Sequence, residues 1–117
     1  MTPELQQTIQ RLADIEDIKQ LKARYASACD DDYNPATLAP LFAEDAIWDG
    51  NILGYAEGRE GIREFFAAAS SLVPFAVHQV SNPLIEIDGD AATGQWFLWQ
   101  PMIFGEQALW LSAVYED

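Results

Sequence analysis

Apolar residues return every three or four positions through Leu5, Ile9, Leu12, Ile15, Ile18, Leu21, Tyr25 and Ala28, the stripe of an amphipathic helix. Thr2 ahead of Pro3 supplies a cap and a first helical position. Asp14, followed by Ile15, Glu16 and Asp17, offers a second start, so the periodicity allows one long helix or an arm followed by the helix proper. Asn34-Pro35 opens a short helix to about Phe42, limited by Pro40. Ala46-Ile47-Trp48 reads as a strand, and Gly50-Asn51 and Gly54 as turns. From Gly58 onward Ile62, Phe65, Phe66 and Ala69 restore the helical period.

After Pro74 the pattern changes to strand-length runs rich in β-branched and aromatic residues, from Val77 to Ile87, Ala91 to Met102 and Gln107 to Tyr115. Asp88-Gly89-Asp90 is a hairpin signal between the first two, and Gly105-Glu106 can turn the second into the third. Helices first and an antiparallel meander afterwards predict an α+β domain, with N-terminal helices gathered on one face of a curved sheet. No repeat or linker divides the chain, so residues 1–117 are expected to form one domain. The sequence still reads as strand at Asp117, which leaves an apolar edge open for pairing.

Half of the 117 residues are apolar, enough for a core without disulfides, and the single cysteine has no partner in the chain. One cysteine and one histidine are a poor basis for a zinc site, so neither metal nor cofactor is expected. The net charge of −13, from 19 acidic and 6 basic residues, disfavours nucleic acid and anionic membranes and leaves neutral or cationic small molecules as easier guests. The N-terminus lacks a basic segment followed by an apolar one, and no run reaches a membrane span, so a cytoplasmic protein is expected.

Asp30, Asp31 and Asp32 stand at the C-terminal end of the first helix, where the macrodipole disfavours carboxylates. Asp31 and Asp32 read as solvated turn residues. Asp30 differs, because it follows Tyr25 and the small residues Ala26, Ser27, Ala28 and Cys29, which leave room for a guest. Tyr25 and Asp30 point roughly 140° apart on a helix, so they share a pocket only if the helix ends near Asp30 or crosses the pocket mouth. His78, the only histidine, falls on a strand face with Val80 and Asn82 if the pleat is regular. By itself it reads first as a half-buried structural residue with one hydrogen bond. The aromatic and thioether side chains exceed ordinary core needs, and Trp48, Phe65, Asn82, Trp96, Met102 and Trp110 are candidate lining residues of a pocket.

The segments Ile9-Gln10-Arg11-Leu12, Asp14-Ile15-Glu16, Ile18 to Tyr25, Val77-His78, Asn82-Pro83, Asp88-Gly89-Asp90 and Ala92 to Trp96 resemble the nuclear-transport-factor-2-like superfamily. The resemblance is to its SnoaL-like branch, which contains bile-acid 7α-dehydratases, scytalone dehydratase and hexachlorocyclohexane dehydrochlorinase. It implies a cone-like roll and a cofactor-independent lyase, with Tyr25, Asp30 and His78 matching the dehydratases' catalytic tyrosine, aspartate and histidine. The dehydrochlorinase has lysine in place of Tyr25, so the tyrosine favours the dehydratase comparison. Complete relatives continue into a last strand carrying a basic residue, and this chain is expected to lack that strand.

The implied chemistry is β-elimination from a neutral, hydrophobic cyclic or aromatic substrate, with Asp30 orienting His78 as base and Tyr25 donating a hydrogen bond. An enone isomerase would use the same groups without losing water. A noncatalytic binding or oligomerisation module would keep Asp30 and His78 as a satisfied pair. The aromatic sheet and its open edge, with the resemblance, imply a homo-oligomer, a trimer or a dimer.

Overall fold

The computed structural model describes Met1–Asp117. Helix α1 (Pro3–Asp30) is continuous, capped by Thr2, whose Oγ1 accepts the Leu5 N–H at 3.1 Å. No glycine or proline interrupts it after Pro3, and the Gln10–Asp14 and Gln20–Glu16 side-chain hydrogen bonds brace its exposed face, so the second start at Asp14 is not used. Its N-terminal half extends away from the sheet with Leu5, Ile9 and Leu12 exposed, while Lys22, Tyr25, Ala26, Ala28 and Cys29 are buried.

The chain reverses through Asp32 and Tyr33, both in the left-handed region at φ 56° and 51°. Tyr33 holds that strained conformation because its ring is buried and stacked on Phe66, with centroids 5.7 Å apart. Helix α2 (Pro35–Leu38) follows, continued by a 3₁₀ turn at Ala39–Leu41. Strands β1 (Ile47–Asp49) and β2 (Tyr55–Glu57) form a small antiparallel hairpin. The sequence pattern indicated only the first of these. Helix α3 (Gly58–Leu72) buries Ile62 and Phe66 on its apolar stripe.

The main sheet contains β3 (Phe75–Ala76), β4 (Gln79–Asp88), β5 (Ala91–Phe104) and β6 (Gln107–Glu116). All of its pairings are antiparallel; β5 is central, with β6 along one side and β4 then β3 along the other. This is the expected α+β arrangement of helices against a curved antiparallel sheet. Alternation along β5 turns Trp96, Leu98, Gln100 and Met102 inward and exposes Phe97 and Trp99 outward. Between Ser81 and Leu84 the register of β4 shifts, with Asn82 at φ 55° and Pro83 unable to donate a ladder hydrogen bond.

Candidate active site

The helices, the β1–β2 hairpin and the inner face of the sheet enclose a mostly apolar cavity of about 830 Å³. Trp48, Phe65, Trp96 and Met102 line it, as do Tyr25 and His78. Two glycines make room for the aromatic walls. A Cβ on Gly50 would meet the Trp48 ring at 2.4 Å, and one on Gly94 would meet the Trp96 ring at 2.4 Å.

His78 falls in the break between β3 and β4, a position the strand reading did not separate from β4. The Val77 N–H still donates to the Pro101 carbonyl at 3.0 Å, so the backbone stays in register there. Helix α1 ends at Asp30 and aims its carboxylate at this break. One oxygen, Oδ1, lies 2.7 Å from His78 Nδ1 and accepts the His78 backbone N–H at 2.7 Å. An ionised carboxylate only accepts, so Nδ1 carries the proton and Nε2 keeps its lone pair. The imidazole is nearly enclosed, its side chain 4% exposed against 31% for Asp30. Burial lowers the His78 pKa from its ordinary 6.5, opposed by the hydrogen bond and charge of Asp30. The neutral imidazole is thereby the form present at neutral pH.

Tyr25 projects from the same helix five residues earlier. Its hydroxyl accepts Trp48 Nε1–H at 3.2 Å, and its ring meets Phe42, Phe66 and Tyr115 edge-on. Burial, with Cys29 and Tyr115 adding, raises its pKa well above 10, so it remains a hydrogen-bond donor. Lys22, one turn before Tyr25, is 8% exposed and contributes to the cavity wall. Its ammonium pairs with Asp117 Oδ2 at 2.8 Å and lies over the rings of Tyr115, Tyr25 and Trp96, at 3.4, 4.8 and 5.1 Å from their centroids. No group of three or more His, Cys, Asp or Glu side chains is arranged to hold a metal.

The model of the SnoaL-like domain matches residues 10–117. The chain belongs to the SnoaL-like family. An uncharacterized protein of Mycobacterium tuberculosis is 30% identical to this SnoaL-like chain over 118 residues, covering 94% of the chain and 77% of that protein. Hexachlorocyclohexane dehydrochlorinase type 3 from Novosphingobium barchaimii superposes with a TM-score of 0.79 at 23% identity, covering 93% of the chain and 77% of its own. A structure from Novosphingobium aromaticivorans, provisionally named a scytalone dehydratase, superposes with a TM-score of 0.81 at 21% identity, covering 94% and 75%. These likenesses show a nuclear-transport-factor-2-like fold. They leave the reaction open, because fold and chemistry vary independently.

Within the SnoaL-like frame Asp30 pairs with His78, and His78 and Tyr25 line one cavity with Trp48, Phe65, Trp96 and Met102. Two expected lining residues do not reach it. The bulge takes Asn82 off the face it would share with His78 in a regular pleat. Trp110 pairs opposite outward-facing Pro101, is 68% exposed and stacks on Trp99 on the outer face at 5.1 Å.

Residues not singled out from sequence complete the site. Gln100 is buried, and the pairs Ala76–Met102 and Gln79–Trp99 put it opposite His78. Its amide donates to the Tyr33 hydroxyl at 3.4 Å, and Tyr33 meets the His78 ring edge-on at 5.8 Å. Lys22 was also missed, although its three- and four-residue spacing to Tyr25 and Ala26 was visible.

Proposed function

We propose that this SnoaL-like chain is a cofactor-independent lyase that removes water from a hydrophobic cyclic or aromatic β-hydroxy carbonyl compound. The reading rests on the 2.7 Å contact between Asp30 Oδ1 and His78 Nδ1 beside a large apolar cavity. His78 Nε2 removes the proton next to the carbonyl, and the carbon–hydrogen pair becomes the enolate. Tyr25 donates a hydrogen bond to the enolate oxygen or to the departing hydroxyl. As the enolate reforms its carbonyl and the new carbon–carbon double bond, the β-carbon–oxygen bond breaks. The imidazolium returns its proton to the leaving hydroxide, giving water and restoring the base. Asp30 stabilises the imidazolium between these steps.

The test is incubation of the protein and its His78→Gln variant with a panel of cyclic and aromatic β-hydroxy ketones, followed by mass spectrometry. Loss of one water by the native protein and none by the variant supports the lyase. A product of unchanged mass with a shifted double bond marks an isomerase, and binding without turnover marks a noncatalytic module.

The exposed outer face around Trp99, Trp110, Phe97 and Val114 supports a second part of the proposal, a homo-oligomer formed through the sheet. Light scattering at micromolar concentration should give a dimer or trimer, and Trp110→Asp should shift it toward monomer. A native monomer sinks that part.

A further inference from the structure

Among six basic residues in a chain of net charge −13, Lys22 alone is buried, and it is buried in the cavity wall. A buried ammonium is expensive unless its three donors are used. Only one acceptor, Asp117 Oδ2, lies within hydrogen-bond distance, and the other neighbours are the faces of Tyr115, Tyr25 and Trp96. Aromatic faces attract the charge without taking a hydrogen bond. Asp117 is held in place by reciprocal backbone hydrogen bonds with Gly94, but half of its side chain is open to solvent, which can satisfy the carboxylate in place of the ammonium.

The position of Lys22 gives this unspent donor capacity a geometric meaning. Eight residues separate it from Asp30 on α1, about 12 Å along the axis. On the opposite wall, Trp96 beside Lys22 is four residues along β5 from Gln100, which sits across from His78, again about 13 Å. The cavity therefore has two polar ends whose supporting backbone positions stand roughly 12 Å apart, with Tyr25 between them on α1. One end holds the acceptor nitrogen of His78. The other holds a cation.

We propose that Lys22 is the anchor for a carboxylate on the substrate, so that the cavity takes an amphipathic acid whose reacting carbon lies at His78. The proposal rests on the lyase reading for the role of the His78 end, but its carboxylate site stands or falls on binding alone. It revises the expectation of a neutral guest. That expectation came from the acidic exterior, whereas the cavity carries its own cation. An incoming carboxylate shares or replaces Asp117 on the ammonium, so Asp117 sets how tightly the acid is held.

The experiment compares 5-phenylpentanoate with its neutral amide, 5-phenylpentanamide, by isothermal titration calorimetry, while NMR follows the His78 ring. The native protein should bind the acid at least about tenfold more tightly than the amide, as a charge-assisted hydrogen bond in a half-dry site provides. Both probes should shift the imidazole resonances. Lys22→Met should abolish the preference while leaving the amide affinity in place. Asp117→Asn, which removes the competing carboxylate, should tighten acid binding severalfold. If Lys22 and Asp117 are only a structural pair, both variants lose thermal stability and neither changes the ratio of acid to amide, which overturns the proposal. Equal binding of the two probes by native protein, or saturable binding of neither, overturns it as well. An intact acid preference in a protein that turns over no hydroxy ketone sinks the lyase and leaves the carboxylate site standing.

Discussion

Asp30→Asn isolates the charge of the dyad from its geometry. Oδ1 accepts two hydrogen bonds at 2.7 Å, from the backbone N–H and the imidazole of His78. The amide oxygen of asparagine can replace it in both, and the backbone N–H holds that oxygen in place, so the proton stays on Nδ1. What disappears is a unit negative charge beside the imidazolium formed during turnover. At an effective dielectric of 20 and roughly 4 Å between charges, the attraction is about 4 kcal/mol. Solvent reaches nearly a third of the Asp30 side chain, at 31% exposure, and halving the attraction for that screening leaves about 2 kcal/mol. The imidazolium loses that stabilisation, and kcat should fall about 30-fold. Loss of the carboxylate also lowers the His78 pKa further, since Asp30 is what opposes burial. The assay is dehydration of a hydroxy ketone followed by enone absorbance, with nitrogen-15 shifts of the single histidine reporting the tautomer. A loss approaching 10⁴-fold with the proton moved to Nε2 would mean that the asparagine flips and that tautomer control dominates. An unchanged rate with an unchanged His78 titration would refute the dyad.

Three further outcomes follow from the same geometry. Lys22→Met keeps an unbranched stem among the rings and removes a charge whose pKa burial lowers, while Asp117 rehydrates, so stability should be unchanged or raised by about 1 kcal/mol; a loss of 3 kcal/mol or more in urea unfolding would show that the fold needs the ion pair. The folded-state pKa of His78 is depressed, so the native state binds fewer protons below 6.5 and its contribution to stability, complete above that pH, is lost as pH falls through the folded value. The difference in unfolding free energy between native protein and His78→Gln should therefore shrink on acidification, the acid limb of kcat/KM should lie below pH 6.5, and a limb above 7 contradicts the buried neutral base. Gly94→Ala would put a Cβ 2.4 Å from two Trp96 ring atoms, forcing that ring from its seat near Lys22. It should cost about 1–3 kcal/mol and shift the tryptophan emission; wild-type stability and emission would mean that the wall yields freely.

The layer arrangement was legible in the sequence because it depends on local signals that the tertiary structure does not override, and so was the place of Asp30 at the end of a helix. Helical spacing, the Asp88-Gly89-Asp90 turn and the strand-length runs fix element type, and the end of α1 at Asp30 removes the angular objection to placing that carboxylate in the site. Family resemblance supplied the partner, His78, that no spacing could have paired with Asp30. What stayed illegible depended on register. Around Trp110 apolar residues face both ways, since Leu111 turns inward while Trp110 packs on Trp99, so parity is set only by the pairing of Trp110 with Pro101. Asn82-Pro83 did carry a warning, because a proline inside a strand run marks an edge or a bulge, and the one-residue shift there takes Asn82 off the face.

Lys22 is the more instructive case. Tyr25 belongs to two overlapping stripes, Leu21-Tyr25-Ala28 and Lys22-Tyr25-Ala26-Cys29, and hydropathy favours the first. Ala28 is buried along with Ala26 and Cys29, and where the stripes compete the fold takes the second: Leu21 is 41% exposed and Lys22 is 8% exposed. A helix that turned by one position would bury leucine and gain the usual hydrophobic stabilisation, yet Tyr25, Cys29 and the aim of Asp30 at His78 fix its rotation. The ammonium is thus carried inward by the same rotation that assembles the dyad, and the rings of Tyr25, Trp96 and Tyr115 with the carboxylate of Asp117 make its burial tolerable. A charged residue on the buried side of a helix, against hydropathy, is the pattern expected where binding rather than stability sets the choice.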